Sequence, residues 1–392
     1  MGIISIFFVL SFYTTSINRV KTMKKVLFLI RDLGHGGAEK VLVNLVNHMD
    51  RDKFDITVMT LFDEGVNKQF LAPHIKYKTC FCKSFPANSH FLKLFSPAFL
   101  HEHFIKDSYD IEIAFLEGPA ARVISGCKNK NTKLLSWIHC TQKTNNDIAI
   151  GFRHFAEANN SYKRFNKIVF VSESTKITFN KHIPIKESIV LYNTNDSEAI
   201  KRQSSESIAV TFNDKIVNIV STGRLIPVKG YDRLIKLHSR LINEGYSIHT
   251  YILGEGSERY KSDLDKMINE NNISDSFSFL GYQTNPYKYV SKADLFVCSS
   301  HSEGFSTAAT EALIVGTPVC TVEVSGMKEM LGENNEYGIV TENNEEALYQ
   351  GIKSLLDSPE LLAHYKEKAK ERGKFFSTEK TVKAVEDMLL KL

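Results

Sequence analysis

Runs of like charge are missing from this 392-residue chain, and its formal net charge is only +4. That slight basic lean suits phosphate-bearing ligands or an anionic surface and is too small to argue for nucleic acid. Zinc-ligand spacing is missing as well. Of the six cysteines, Cys80, Cys82, Cys127, Cys140, Cys298 and Cys320, one C-x-C forms at 80–82 and no second pair accompanies it. Buried, reduced thiols and a reducing cytoplasm are the expectation that follows. There is no internal repeat, no low-complexity tract and no complete G-x-G-x-x-G dinucleotide fingerprint. Residues 3–13 (IISIFFVLSFY) are apolar but short for a membrane span, and no basic segment precedes them as in a signal peptide. Met23, followed by KKVLFLI, reads as the true start, with 1–22 an upstream extension. An N-terminal membrane anchor is the alternative.

What is present is an ordinary globular composition, 43% hydrophobic and 24% charged, at a length suited to two domains. Short apolar runs alternate with stretches of helical period, which predicts α/β domains with parallel sheets. Strands are expected at 24–30, 55–61, 110–115, 133–138, 167–171 and 188–192. A second set follows at 216–222, 248–253, 277–280, 294–298, 317–321 and 337–340. Val41, Leu42, Leu45, Val46 and Met49 recur at helical spacing, as do Leu234, Leu237 and Leu241. The polar stretch around 194–214 reads as a linker. The expected organisation is an N-terminal Rossmann-like domain at 23–195, a linker at 196–214, a C-terminal Rossmann-like domain at 215–375 and a final helix at 376–392. Each half is then a doubly wound parallel sheet whose ligands bind beyond strand C-termini, facing one cleft.

Residues 85–105 (FPANSHFLKLFSPAFLHEHFI) break the alternation, rich in Phe and Leu and poor in acid. They read either as a helix packed on its own sheet or as an amphipathic surface that touches membrane or a lipid-linked ligand.

Four motifs sit at strand ends. Gly34-His35-Gly36-Gly37-Ala38-Glu39 follows the first strand and opens a helix, where glycine permits close backbone approach and free N–H groups can receive an anion or sugar hydroxyls. Such a turn is equally common as plain structure, and no acid clearly ends the second strand to hold a ribose. Gly223-Arg224-Leu225 and Lys229-Gly230 bring a guanidinium fork and a compact ammonium to one strand end, suited to a diphosphate; two solvated cations are the bland alternative. Glu303-Gly304-Phe305-Ser306-Thr307 leads into a helix that carries Glu311. Residues 304–307 offer N–H groups to phosphate oxygens, and Glu303 can accept from sugar hydroxyls. Glu311 lies among Ala308, Ala309, Ala312 and Leu313, where a carboxylate needs a partner. Trp137-Ile138-His139 places a histidine at a strand end, able to bond a sugar hydroxyl as a neutral imidazole or simply to sit at the surface. Gly254-Glu255-Gly256 reads as a turn. Asp263-Leu264-Asp265 matches D-x-D, but it falls mid-helix where i and i+2 diverge, so no metal is expected.

Taken in order, these residues resemble the retaining glycosyltransferases of family 4. Glu303 and Glu311, with seven residues between, resemble the E-x7-E motif. Gly223-Arg224-Leu225 with Lys229-Gly230 resembles the phosphate-gripping segment, and Gly36-Gly37-Ala38-Glu39 the acceptor-side loop. Tyr192-Asn193 and Leu253-Gly254-Glu255-Gly256 match in place and order. The likeness runs from about residue 23 to the C-terminus and is nearest to bacterial enzymes of surface-polysaccharide or lipid-linked oligosaccharide synthesis. Ser306 departs from it, since many members carry glycine there.

The resemblance implies a GT-B fold, a nucleotide diphospho-sugar (by frequency a UDP-sugar) bound as co-substrate in the C-terminal half, and no metal or other cofactor. It implies that Glu303 contacts the donor sugar, Glu311 the ribose, Arg224 and Lys229 the diphosphate and His139 the sugar. Gly36 and Gly37 would line the acceptor side, Gly223, Gly304, Phe305, Ser306 and Thr307 the donor. The acceptor would be a glycan or a polyprenyl-linked glycan. The protein would be cytoplasmic, peripheral at the inner face of the plasma membrane through 85–105, with the tail helix crossing back to the first domain. Retention through double displacement needs a carboxylate under the anomeric carbon, and none stands out. A front-face route is therefore expected, with the departing phosphate taking the acceptor's proton. Alternatives are a sugar-nucleotide epimerase of the same fold, a non-catalytic glycan- or nucleotide-binding partner subunit and, less well matched, a Rossmann oxidoreductase.

Overall fold

A computed structural model describes residues 23–34, 36–210 and 212–392, so the expected extension at 1–22 lies outside the described residues. Seven strands form the first sheet: β1 (Lys24–Ile30), β2 (Phe54–Phe62), β3 (Lys76–Phe81), β4 (Ile111–Ala114), β5 (Lys133–Ile138), β6 (Lys167–Phe170) and β7 (Ser188–Val190). Six form the second: β8 (Val217–Thr222), β9 (Ile248–Leu253), β10 (Phe277–Phe279), β11 (Leu295–Cys298), β12 (Val319–Val322) and β13 (Ile339–Thr341). The spatial orders are β3-β2-β1-β4-β5-β6-β7 and β10-β9-β8-β11-β12-β13. Every pairing is parallel. The chain direction across each sheet therefore reverses between β1 and β4 and between β8 and β11. Crevices open at such switch points, beyond the strand C-termini.

Burial explains why the strands read as continuous apolar runs. Val26 to Ile30 are wholly buried, because helices cover both faces of a parallel sheet. Helix Gly37–His48 buries Val41, Leu42, Leu45 and Val46 on one face, and helix Tyr231–Asn243 buries Leu234, Leu237 and Leu241. Each such side chain contributes about 1.5–3 kcal/mol of transfer free energy.

Three sequence readings need amendment. β3 was not expected. Its run KYKTCF alternates lysine with partly buried residues at the sheet edge, so it lacks the apolar continuity of the inner strands. Part of the stretch read as linker is a helix, Ser197–Ser204, capped by Asp196 and anchored by buried Ile200. Of the cysteines, Cys127, Cys298 and Cys320 are buried, whereas Cys82 and Cys140 are exposed and Cys80 lies between; all six are free thiols.

The 85–105 stretch becomes two short helices, Asn88–Leu94 and Pro97–Phe104. Buried Arg122 fastens them, donating to the carbonyls of Leu92 (2.8 Å) and Phe95 (2.6 Å) while pairing with Glu157. Leu92 and Leu100 face inward, while Phe91, Leu94 and Phe99 are exposed. The segment thus packs on its domain and also presents an apolar outer face. Beneath it His101, Glu112 and Cys127 meet, all buried. The imidazole and carboxylate bond each other at 2.7 Å. Burial alone would lower the His101 pKa, but hydrogen bonds to Cys127 and Glu112 raise it to about 9.

The last helix, Thr378–Leu390, lies on the first domain. Lys24 Nζ donates to the Leu389 carbonyl at 3.0 Å, and the Asp50 N–H donates to Glu386 at 2.6 Å. No helix among the described residues is long and apolar enough to cross a membrane.

Candidate functional site

The crevice residues come from the ends of the strands that flank each switch point. In the second domain, β8 runs into Gly223 and Arg224, and β11 into Ser299, Ser300 and Glu303. A tight 3-10 turn, Pro227–Lys229, ends on Gly230 at φ +65°. A Cβ at Gly230 would stand 2.2 Å from the Ser299 carbonyl oxygen, so glycine lets the two loops touch. That contact brings Lys229 Nζ to 2.6 Å from Glu303 Oε1, which also accepts from Ser300 Oγ at 2.7 Å. Arg224 is exposed at the same loop and makes no ion pair among the described residues. The Gly254 turn buttresses this loop: a Cβ there would lie 1.9 Å from the Gly223 carbonyl oxygen. Asp263 of the D-x-D pair is exposed on helix Glu258–Glu270, and Asp265, partly exposed, bonds Lys261.

Helix Thr307–Val315 starts at Ser306, whose hydroxyl accepts from the Ala309 N–H, and ends at Gly316 at φ +83°. The departure from glycine at 306 therefore supplies a helix cap. Phe305 is buried and stacks on Tyr192 at 5.1 Å. The Phe305 carbonyl accepts from Asn193 Nδ2 at 3.4 Å. The Tyr192-Asn193 pair thus seats the second domain's motif against the first domain.

In the first domain, His139 follows β5 and is buried against Phe115, 4.8 Å between ring centroids. Burial pushes its pKa down to about 3, so it is neutral throughout the physiological range. Its Nε2 has no hydrogen-bond partner among the described residues. A buried ring nitrogen without a partner is costly unless a ligand supplies one. Glu117, beyond β4, accepts from the N–H groups of His139 (3.0 Å) and Cys140 (3.1 Å) and so fixes this strand end. Burial raises the Glu117 pKa, and those N–H groups moderate the rise.

The domains meet closely here. A Cβ on Gly304 would sit 1.8 Å from the His139 carbonyl oxygen, and one on Gly37 would lie 3.4 Å from Thr307 Oγ1. Thr141 Oγ1 bonds the Glu303 carbonyl at 3.1 Å and Ser325 Oγ at 2.7 Å. Glu329 accepts from the N–H groups of Glu173 and Ser174, placing a carboxylate at the positive end of helix Glu173–Asn180. Between the domains a cavity of ≈ 490 Å³ is lined by Thr141, Ser174, Glu303, Ser325 and Lys328 among others.

The structure therefore places Arg224, Lys229, Glu303 and Gly304 at strand ends of the second domain that face the first domain, where Gly304 meets His139 and Gly37, beside Gly36, meets Thr307. Glu39 folds back over Gly36: its carboxylate lies about where a Cβ on Gly36 would be. Burial and Asp32 raise its pKa, against the opposing charges of Arg224 and Arg31. Glu311 has the partner its surroundings demand, but that partner is Lys40 of the first domain, 2.6 Å away. Sequence reasoning missed Lys40, Glu117 and Tyr287. A lysine in the first turn after a glycine-rich loop was the one available signal, and nothing local linked it to position 311.

Residues 35–198 match the model described as Glycosyltransferase Family 4, and 203–372 the model described as Glycosyl transferases group 1. The N-acetylgalactosamine-N,N'-diacetylbacillosaminyl-diphospho-undecaprenol 4-alpha-N-acetylgalactosaminyltransferase of Campylobacter jejuni is 30% identical over 362 residues, 90% of this chain and 96% of the relative. The poly(ribitol-phosphate) alpha-N-acetylglucosaminyltransferase of Staphylococcus aureus is 25% identical, covering 69% of this chain and 53% of the relative. Among solved structures, Anabaena HepE in complex with UDP superposes with a TM-score of 0.74 at 19% identity, over 94% of this chain and all of that one. The sucrose-phosphate synthase of Thermosynechococcus elongatus reaches 0.76 at 14% identity, over 94% and 98%. With two parallel-sheet domains closing on one crevice and a relative matched over nearly its whole length, the chain belongs to the family-4 glycosyltransferases of GT-B fold.

Proposed function

We propose that this enzyme transfers a hexose or N-acetylhexosamine, with retention, from a nucleotide diphospho-sugar to a glycan or lipid-linked glycan acceptor in cell-surface polysaccharide synthesis. The observation that carries this reading is the Lys229–Glu303 pair beside exposed Arg224, opposite the buried, unpartnered Nε2 of His139. Two cations face the place of a diphosphate, and a carboxylate and a neutral imidazole face the place of a sugar. A UDP-sugar is the favoured donor, in keeping with UDP in the HepE complex. The diphospho-undecaprenol substrate in the Campylobacter relative's name supports a polyprenyl-linked acceptor.

In the proposed reaction the acceptor hydroxyl oxygen bonds to the anomeric carbon as the bond from that carbon to the β-phosphate oxygen breaks. The hydroxyl proton passes to the departing phosphate, giving the glycoside and the nucleoside diphosphate. Arg224 and Lys229 stabilise the charge that gathers on the leaving group. The carboxylates near the crevice suit a front-face route better than double displacement. Both oxygens of Glu117 are held by backbone N–H groups, Glu303 is held by Lys229 and Ser300, and Glu39 is folded on Gly36. None is positioned by these contacts as the nucleophile that double displacement requires.

Incubating the protein with UDP-N-acetylhexosamines and UDP-hexoses, alone and with a polyprenyl-diphospho-glycan, tests the reading. Acceptor-dependent release of UDP with an α-linked product is the expected result. An epimerised donor formed without acceptor would identify the epimerase instead, and binding without turnover a non-catalytic subunit.

The outer face of 85–105 supports peripheral membrane contact. Phe91, Leu94 and Phe99 are exposed there, Leu94 by 73%. Exposed Ile150 lies in the loop whose Arg153 bonds the carbonyls of Lys93 and Leu94. Apolar tips flanked by Lys93 and Arg153 suit an anionic interface. The protein is expected to co-sediment with phosphatidylglycerol vesicles, and the triple variant Phe91→Ser, Leu94→Ser, Phe99→Ser to lose most of that binding. Equal sedimentation of the two proteins would remove this face from the membrane.

A further inference from the structure

Glu311 pairs with a charged side chain of the other domain. Lys40 stands in the first turn of helix Gly37–His48, and Glu311 lies 271 positions away on helix Thr307–Val315. Lys40 Nζ is 2.6 Å from Glu311 Oε1 and 2.6 Å from the Tyr287 hydroxyl oxygen. That hydroxyl also donates to Glu311 Oε1, at 3.5 Å. The ammonium stands 5.0 Å from the centre of the Tyr287 ring. The Glu311 side chain is 10% exposed, Tyr287 is buried, and the Lys40 side chain keeps 37% of its surface. Burial pushes the Tyr287 hydroxyl up to about 12, and the Glu311 charge adds to the shift. The three groups form one charged, hydrogen-bonded link between the domains.

The inference rests on the donor reading, in which Glu311 accepts from the ribose. A ribose diol and a lysine ammonium are both donors, and each seeks the same carboxylate. Oε1 already takes two donors, which fills its two lone pairs and leaves only Oε2 to a diol that would otherwise engage both oxygens. We infer that Lys40 is the first domain's occupant of the ribose site: without nucleotide its ammonium holds Glu311 where the diol binds, and a nucleoside diphosphate enters by displacing it. Lys40 then belongs to the donor site as a positioning residue. A diol that engages both oxygens of Glu311 competes with the Lys40 link between the domains for Oε1. A ligand that must displace a resident group binds with an apparent affinity reduced by the fraction of competent protein.

Calorimetric titration with UDP distinguishes this from a structural ion pair. Lys40→Met is expected to bind UDP about tenfold more tightly than the wild type, as removal of a dominant competing state requires. A merely structural role leaves the affinity unchanged or weakens it, and either result overturns the inference while the donor reading stands. Lys40→Gln guards against poor folding of the first variant. It keeps an amide donor without the charge and is expected to tighten binding by a smaller factor; a folded Lys40→Gln without any tightening also overturns the inference. If wild type and both variants bind none of UDP, GDP and ADP, the donor reading fails and carries this inference with it.

Discussion

Glu303→Ala is expected to lower the rate of sugar transfer by about a thousandfold, equivalent to roughly 4 kcal/mol of transition-state stabilisation. The carboxylate does two things that alanine cannot. On the proposed donor reading it presents an acceptor to the donor sugar, and it holds Lys229 Nζ at 2.6 Å, beside the diphosphate of that reading. Hydrogen bonds to charged groups are worth about 1.5–3 kcal/mol each, so losing a sugar contact and misplacing a cation together account for the estimate. The effect should divide between binding and chemistry in a telling way. Free UDP has no sugar for Glu303 to touch, so its affinity for Glu303→Ala should fall much less than transfer does, through the misplaced Lys229 alone. Joint replacement of Arg224 and Lys229 by alanine should abolish both UDP binding and transfer. The Glu303 carbonyl, the acceptor for Thr141 Oγ1, survives the substitution, so thermal unfolding should barely change. Near-normal transfer by Glu303→Ala would defeat the assignment of the site.

How much of this was legible in the sequence follows the range of each interaction. Both sheets could be read because inner parallel strands are apolar throughout; β3 escaped because an edge strand with lysines at alternate positions carries no such run. Glu303 and Glu311 could be read because their spacing and the helix between them are local. Glu311 also announced its need for a partner through its alanine-rich surroundings. The partner itself could not be read, since Lys40 and Tyr287 reach it only when two domains meet. Glu117 was hidden for the same reason: its acceptors' use depends on a neighbouring strand, through the N–H groups of His139 and Cys140. The helix Ser197–Ser204 was obscured by polar composition, because a short helix with one buried anchor, Ile200, looks like linker in one dimension.

Gly304→Ala is expected to cut transfer by at least a hundredfold without unfolding either domain. Gly304 has no left-handed backbone angle that would itself penalise alanine. The cost arises across the crevice, where the new Cβ would meet the His139 carbonyl oxygen at 1.8 Å and its carbon at 2.9 Å. Both atoms are backbone at a strand end fixed by Glu117, so they cannot swing aside as a side chain would. Ordinary contact would require the domains to separate by more than 1 Å, and misplacement on that scale costs about a hundredfold in rate when reacting groups must be aligned. Gly36→Ala provides the contrast. Its Cβ would meet the Glu39 carboxylate at 2.0 Å, but that is the far end of a flexible side chain, able to rotate away. Gly304→Ala should therefore keep or gain UDP affinity, because the proposed UDP contacts lie in the second domain and opening loosens the Lys40 link, and lose transfer, which needs both domains. Gly36→Ala should lose far less. Small-angle scattering should show Gly304→Ala slightly more open than wild type. Full activity in that variant would mean that the His139–Gly304 contact is not the geometry in which the sugar moves.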